Sequence, residues 1–94
     1  MLILRVLSKQ PLHGYAIGRH IHQLSSEELA VEEGSLYPAL QKLLLKGWVT
    51  AGWTTSDTGR QVREYKITAS GRKQLEKEVA EYRRVTYAIE GLLT

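Results

Sequence analysis

A mainly helical fold with one small β-hairpin is predicted by three features of this 94-residue chain. Apolar residues recur at helical spacing in stretches punctuated by Pro11 and Gly47. Between Trp48 and Ile67 the composition turns to β-branched and aromatic residues on either side of DTGR. After Thr68 the apolar residues settle into alternating spacings of four and three.

Leu2, Ile3, Leu4, Val6 and Leu7 read as a short first helix that Pro11 prevents from continuing. Ile17, Ile21 and Leu24 give one buried stripe and a second helix over about 14–24. Gly14 and Gly18 weaken that helix intrinsically and are best tolerated where another backbone comes close. The acidic SSEELAVEE then connects to the third helix, with 29–31 extended.

In that third helix Ser35 is expected as the N-cap, so that Leu36, Tyr37 and Pro38 occupy the first turn, where a missing N–H costs little. Leu36, Leu40, Leu43 and Leu44 share one side; Pro38, Gln41, Lys42 and Leu45 point away, with Ser35 and Tyr37 on the flanks. Gly47 is the expected stop. Trp48 to Ser56 and Gln61 to Ile67 read as two strands joined by a turn containing Asp57 and Gly59. Three helices followed by such a hairpin make a winged helix, the second and third helices forming a helix-turn-helix and the hairpin the wing.

The last helix begins near Thr68, a good N-cap. Its seam of Leu75, Val79, Tyr82, Thr86, Ile89 and Leu93 follows an a/d heptad pattern, weakened only at Thr86. At 1.5 Å per residue the seam runs about 27 Å, long for so small a domain to cover by itself. Self-association is therefore expected; packing onto the chain's own core is the alternative.

The composition, 43% hydrophobic and 24% charged, is that of a chain that folds. With no cysteine, disulfide frameworks, thiolate metal sites and cysteine nucleophiles are excluded. Arg5 interrupts the apolar start, so neither a signal peptide nor a membrane span is read, and a cytoplasmic location is expected. The net charge of +3 is unevenly spread: residues 25–33 hold Glu27, Glu28, Glu32 and Glu33 and no base, whereas residues 40–73 hold Lys42, Lys46, Arg60, Arg63, Lys66, Arg72 and Lys73 against Asp57 and Glu64. Such a concentration can grip a polyanion.

Taken together, LHGYAI (12–17), GSLYPALQKLLLKGWV (34–49), a hairpin with a Gly-Arg tip followed by REYKIT (63–68), and SGRKQLE (70–76) resemble the PadR family of transcriptional regulators. The single terminal helix is similar to that of its shorter branch. The resemblance implies a bacterial winged-helix repressor, dimeric through its C-terminal and first helices, that binds a palindromic operator and often responds to a small effector. Residues 1–67 are then the DNA-binding domain and residues 68–94 the dimerisation helix.

A helix in the major groove reads base edges with polar groups on its first turns. Ser35, Tyr37 and Gln41 fit that role, Gln41 through bidentate pairing with adenine; Lys42 fits phosphate, and Pro38, to which the resemblance extends, gives apolar contact and shape. Gly59 and Arg60 at the wing tip would approach the backbone or minor groove, with Arg63 on the supporting strand and the Tyr15 hydroxyl on phosphate. Each has a plainer reading: solvated polar residues on a helix or hairpin, and for Tyr15 a packing role with an exposed tip. Trp53, and less so Trp48, are candidates to line an effector cavity between wing and terminal helix, although aromatics on strands are more often core.

His20 and His22 diverge on a helix and His13 is remote, so no metal site is expected; nor is any cofactor or catalytic motif. The expected partners are a second copy of the chain, double-stranded DNA carrying an inverted repeat, and a small aromatic effector, with no membrane. Two other classes stay open: a protein-interaction module using the third helix, favoured by an exposed Leu45, and a ligand sensor with weak DNA affinity.

Overall fold

A computed structural model describes residues 2–24 and 33–93, which form four helices and a three-stranded antiparallel sheet. In chain order these are α1 (Leu2–Leu7), β1 (Leu12–His13), α2 (Gly14–Leu24), α3 (Glu33–Leu45), β2 (Val49–Thr55), β3 (Gln61–Ile67) and α4 (Ala69–Leu93). The arrangement is the winged helix the pattern predicts. The extended reading of 29–31 lies outside the described residues.

Five side chains are almost wholly buried: Leu4 and Leu7 from α1, Ile17 from α2, Leu40 from α3 and Val49 from β2. Burying each contributes about 1.5–3 kcal/mol relative to exposure, so α1, α2, α3 and β2 are anchored in one cluster. Val6, Ile21, Leu36, Tyr65 of β3 and Leu75 of α4 complete it.

The sheet order is β1-β3-β2, with Val49 opposite Ile67, Ala51 opposite Tyr65 and Trp53 opposite Arg63. Because successive side chains alternate, these pairs share the inward face, although only its lower half reaches the core. Tyr65 is buried, whereas Trp53 and Arg63 project beyond the packed helices. The two-residue β1 is new relative to the sequence reading; Leu12 and His13 pair with Tyr65 and Glu64. Two residues after a proline are too short to show alternation.

Helix α3 begins at Glu33, two residues before the expected cap, so Ser35 lies within its first turn and Pro38 inside the helix. The correction has a simple cause. A proline takes the helical donor from the carbonyl four residues back and crowds that carbonyl with its ring, and Gly34, which owns it, lies at the open start of the helix and is exposed to water.

Its C-terminus follows the expected pattern. Gly47 adopts φ +73°, while Trp48 N–H donates to Leu43 O and Gly47 N–H to Leu44 O, each at 3.1 Å, a Schellman closure. In the wing, Ser56 N–H donates to Arg60 O at 2.8 Å and Gly59 N–H to Ser56 O at 2.9 Å, with Gly59 at φ +80°. This is a three-residue hairpin loop whose last residue needs the left-handed region.

Thr68 caps α4 as expected: its Oγ1 accepts from Gly71 N–H at 3.0 Å and donates to Gly47 O at 2.7 Å. Beside it, a Cβ on Gly71 would collide with the carbonyl oxygen of Trp48 and lie 2.8 Å from Ile67 Cγ1. We therefore expect Gly71→Ala to destabilise the chain by about 1–3 kcal/mol, since backbone cannot yield as a side chain can. Denaturant unfolding measures this against Gly34→Ala, at an open and exposed position, which should cost nothing comparable.

Candidate nucleic-acid interface

Burial of Leu36 and Leu40 (3% and 1% exposed) fixes the rotation of α3. At 3.6 residues per turn, Tyr37, Gln41, Leu45, Pro38, Lys42 and Ser35 follow one another across an outer arc of about 160°. All six are exposed, Leu45 most of all at 87% and Tyr37 at 43%.

One edge of that arc meets α2 and the wing. The Tyr37 ring lies so close to Gly14 that a Cβ there would be 2.8 Å from its hydroxyl. Gly14 thus makes room for a side chain rather than for a second backbone. The neighbouring Tyr15 ring is stacked with His13, centroids 6.4 Å apart and planes 8° apart, and the Arg19 guanidinium carbon lies 5.8 Å from its centroid. Arg19 escaped the sequence reading, although its position one turn after Tyr15 on the same helix is a readable signal.

Three clefts distribute the predicted residues. Tyr15, Tyr37, Trp53 and Arg63 line one of about 260 Å³ between the helices and the inner face of the wing. Tyr15, Arg19 and Arg60 line a second, of about 720 Å³, toward the wing tip, together with Asp57 and Glu64. Ser35 and Lys42 border an apolar groove of about 490 Å³ against Leu2, Ile3 and Trp48. Pro38 and Gln41 crown α3 outside all three clefts, and Gly59 is exposed in the wing loop.

The tryptophans therefore part company. Trp53 faces α2 and α3, and Trp48 faces α1 and α3 with Lys46 Nζ 4.6 Å from its ring centroid. Neither cleft is walled by α4, which corrects the expected cavity between wing and terminal helix. The sheet's alternation aims Trp53 at the helices that precede it.

Of the predicted basic residues, Lys42, Arg60 and Arg63 are exposed, and no ion pair engages them among the described residues. Arg72 instead donates to Ser8 O at 3.1 Å and ties α4 to the turn after α1. Among the described residues no three His, Asp or Glu side chains gather as a metal site. None of the helices of the described residues is long and apolar enough to cross a membrane.

The seam on α4 divides. Leu75 belongs to the core at 8% exposure and Val79 packs against it, so these two are engaged by the chain's own fold. Tyr82, Ile89 and Leu93 are exposed at 61%, 50% and 80%, with Val85 and Leu92 beside them and Thr86 half-buried.

The family model for PadR-like transcriptional regulators matches residues 3–77. A 37.1 kDa protein of a Streptomyces fradiae transposon is 41% identical over 86 residues; the match takes in 92% of this chain, which spans only 23% of that protein's length. Among solved structures, a PadR family transcription regulator from Clostridium difficile is 25% identical with a TM-score of 0.86, over 99% of this chain and 95% of that one. Bacillus subtilis PadR in complex with operator DNA is 28% identical with a TM-score of 0.73, over 83% of this chain and 43% of that one.

The different settings of the two tryptophans are directly measurable. Trp53 is 72% exposed and Trp48 half-buried. Acrylamide should therefore quench the emission of a Trp48→Phe chain several times more efficiently than that of a Trp53→Phe chain.

Proposed function

The chain belongs to the PadR-like family of transcriptional regulators, and on that premise we propose that it is a dimeric, sequence-specific DNA-binding repressor of an inverted-repeat operator. The observation that carries this reading is the convergence of Tyr15 from α2, Tyr37 from α3 and Arg63 from β3 on one cleft beside the polar arc of α3. The operator complex of the similar Bacillus subtilis protein supports DNA as the partner.

Residues 1–67 form the reading domain. Helix α3 enters the major groove, where Gln41 pairs with adenine, Ser35 and Tyr37 reach base edges or phosphate, and Pro38 contributes an apolar surface. Lys42 neutralises a phosphate. Gly59 brings the wing tip close to the duplex, Arg60 enters the minor groove, and Arg63 and the Tyr15 hydroxyl hold the backbone between them. The chain works in the cytoplasm, beside its operator.

Residues 68–94 pair two copies. The exposed stripe of Tyr82, Ile89 and Leu93, with Thr86 on the same line, needs an apolar partner, and a twofold axis supplies the same stripe in reverse. Pairing sets the two α3 helices about 34 Å apart, one duplex turn, so each half-site is read once. Repression follows from occupancy of the operator. A small effector acts by favouring a dimer arrangement with lower operator affinity.

Selection of bound duplexes from a random pool should enrich an inverted repeat with half-site centres about 10 base pairs apart. Affinity should fall steeply with salt, and Lys42→Ala, Arg60→Ala and Arg63→Ala should each lower the log–log slope by about one. Gln41→Ala should instead relax preference at one base pair by about 1–3 kcal/mol. No retention of duplex at low salt, together with salt-insensitive capture of a protein partner through Leu45, would overturn the reading. Ile89→Lys places a charge in the pairing stripe; sedimentation should show monomers, with operator affinity falling at least tenfold.

A further inference from the structure

We propose that the cleft between the inner face of the wing and the start of α2 and α3 seats the sugar–phosphate strand that separates the major from the minor groove, and that Trp53 packs on a deoxyribose of that strand. The inference rests on the reading of α3 as the major-groove helix. If α3 lies in the major groove and the wing tip in the adjacent minor groove, the strand dividing the two grooves passes between them. The space between α3 and the wing is this cleft, lined by Tyr15, Tyr37, Trp53 and Arg63 with His13 and Gln61.

Its chemistry suits such a strand. Trp53, Tyr15 and Tyr37 are 72%, 62% and 43% exposed, so three aromatic side chains around one depression leave apolar faces in water. Single exposed aromatics are ordinary; three converging ones with polar tips are the composition of an interface. Arg63 stands directly across the strand pair from Trp53, so one cation lies beside one flat apolar surface. A sugar–phosphate unit presents the complementary pair, C–H faces on the sugar next to an anionic phosphate.

The neighbouring cleft supplies a contrast. It sets Asp57 and Glu64 against Arg19 and Arg60, whereas the cleft around Trp53 has Arg63 and no carboxylate in its lining. At about 260 Å³ the latter is also smaller than the roughly 300–1,000 Å³ of sites that bury a small molecule. A strand crossing an open trough fits it better than an enclosed effector does. Such a contact involves no base edge, so Trp53 adds affinity on every sequence, while Arg63 adds the charge-dependent share.

The test uses a Trp48→Phe chain, in which Trp53 is the only indole, titrated with the selected operator duplex and with a duplex of unrelated sequence. Both should shift Trp53 emission and protect it from acrylamide, saturating as DNA is bound. In the full chain, Trp53→Ala should weaken both duplexes about tenfold while leaving the salt slope unchanged, because no phosphate contact is lost. Gly14→Ala, whose methyl displaces the Tyr37 ring, should cause a smaller loss on both duplexes. Operator binding with undiminished quenching of Trp53, or a Trp53→Ala loss confined to the operator, would overturn this inference and leave the proposed function standing. Failure to bind either duplex would overturn both, and so would a Trp53 response to planar aromatic compounds without any response to DNA.

Discussion

One small knot of backbone holds the molecule's working parts in relation to each other. Thr68 donates through Oγ1 to Gly47 O at 2.7 Å and through its N–H to Trp48 O at 3.0 Å, and the bare face of Gly71 rests against the same Trp48 carbonyl. Gly47 and Trp48 end α3 and lead into β2, while Thr68 ends β3 and starts α4. The knot therefore joins the outer helix, both strands of the wing and the long terminal helix at a single point. Hydrogen bonds that are short, mutually supporting and built largely on backbone leave little freedom for those elements to turn separately.

From that point the division of labour follows. Leu36 and Leu40 decide how α3 is rotated, and whatever they do not bury is offered to solvent as a polar arc. The sheet's alternation does the same for the wing: Val49, Ala51 and Tyr65 face the helices, and the next pair along, Trp53 and Arg63, reaches past the core. A domain of this size has too little interior to use every large side chain it carries. Apart from Leu2 and Leu45, the surplus appears at two places, the wing cleft and the far half of α4, and a partner is proposed at both. Operator affinity in such an arrangement depends on protomer concentration as well as on contacts, because single half-sites are weak and the pair is not.

Local signals were read correctly wherever the physics is local. The caps at Gly47 and Thr68, the turn at Asp57 and Gly59 and the spans of α2 and β3 depend on a few neighbouring residues and on backbone rules. Expectations failed where a distant element intervened. The start of α3 moved because an exposed Gly34 carbonyl makes an internal Pro38 tolerable, and β1 exists only because β3 offers it an edge. Leu75 looks in sequence like any other member of the α4 seam, yet the core, where α4 meets α1, claims it first. Gly14 looked like a place for a crossing backbone and proved to be the seat of an aromatic ring.

By itself the sequence determined the type and order of every element but β1, and the largely polar outer face of α3, because periodicity and turn chemistry act over a few residues. It also determined that seven of the thirteen basic residues lie between Lys42 and Lys73. Only the tertiary structure decided which cations remain available, since Arg72 turns to Ser8 while Arg63 stands beside Trp53. It alone decided that the two tryptophans serve separate clefts and that the terminal helix leaves its seam free only from Tyr82 onward. Those outcomes hang on which surfaces meet across the chain, and packing between residues far apart in sequence leaves no mark in the spacing of either one.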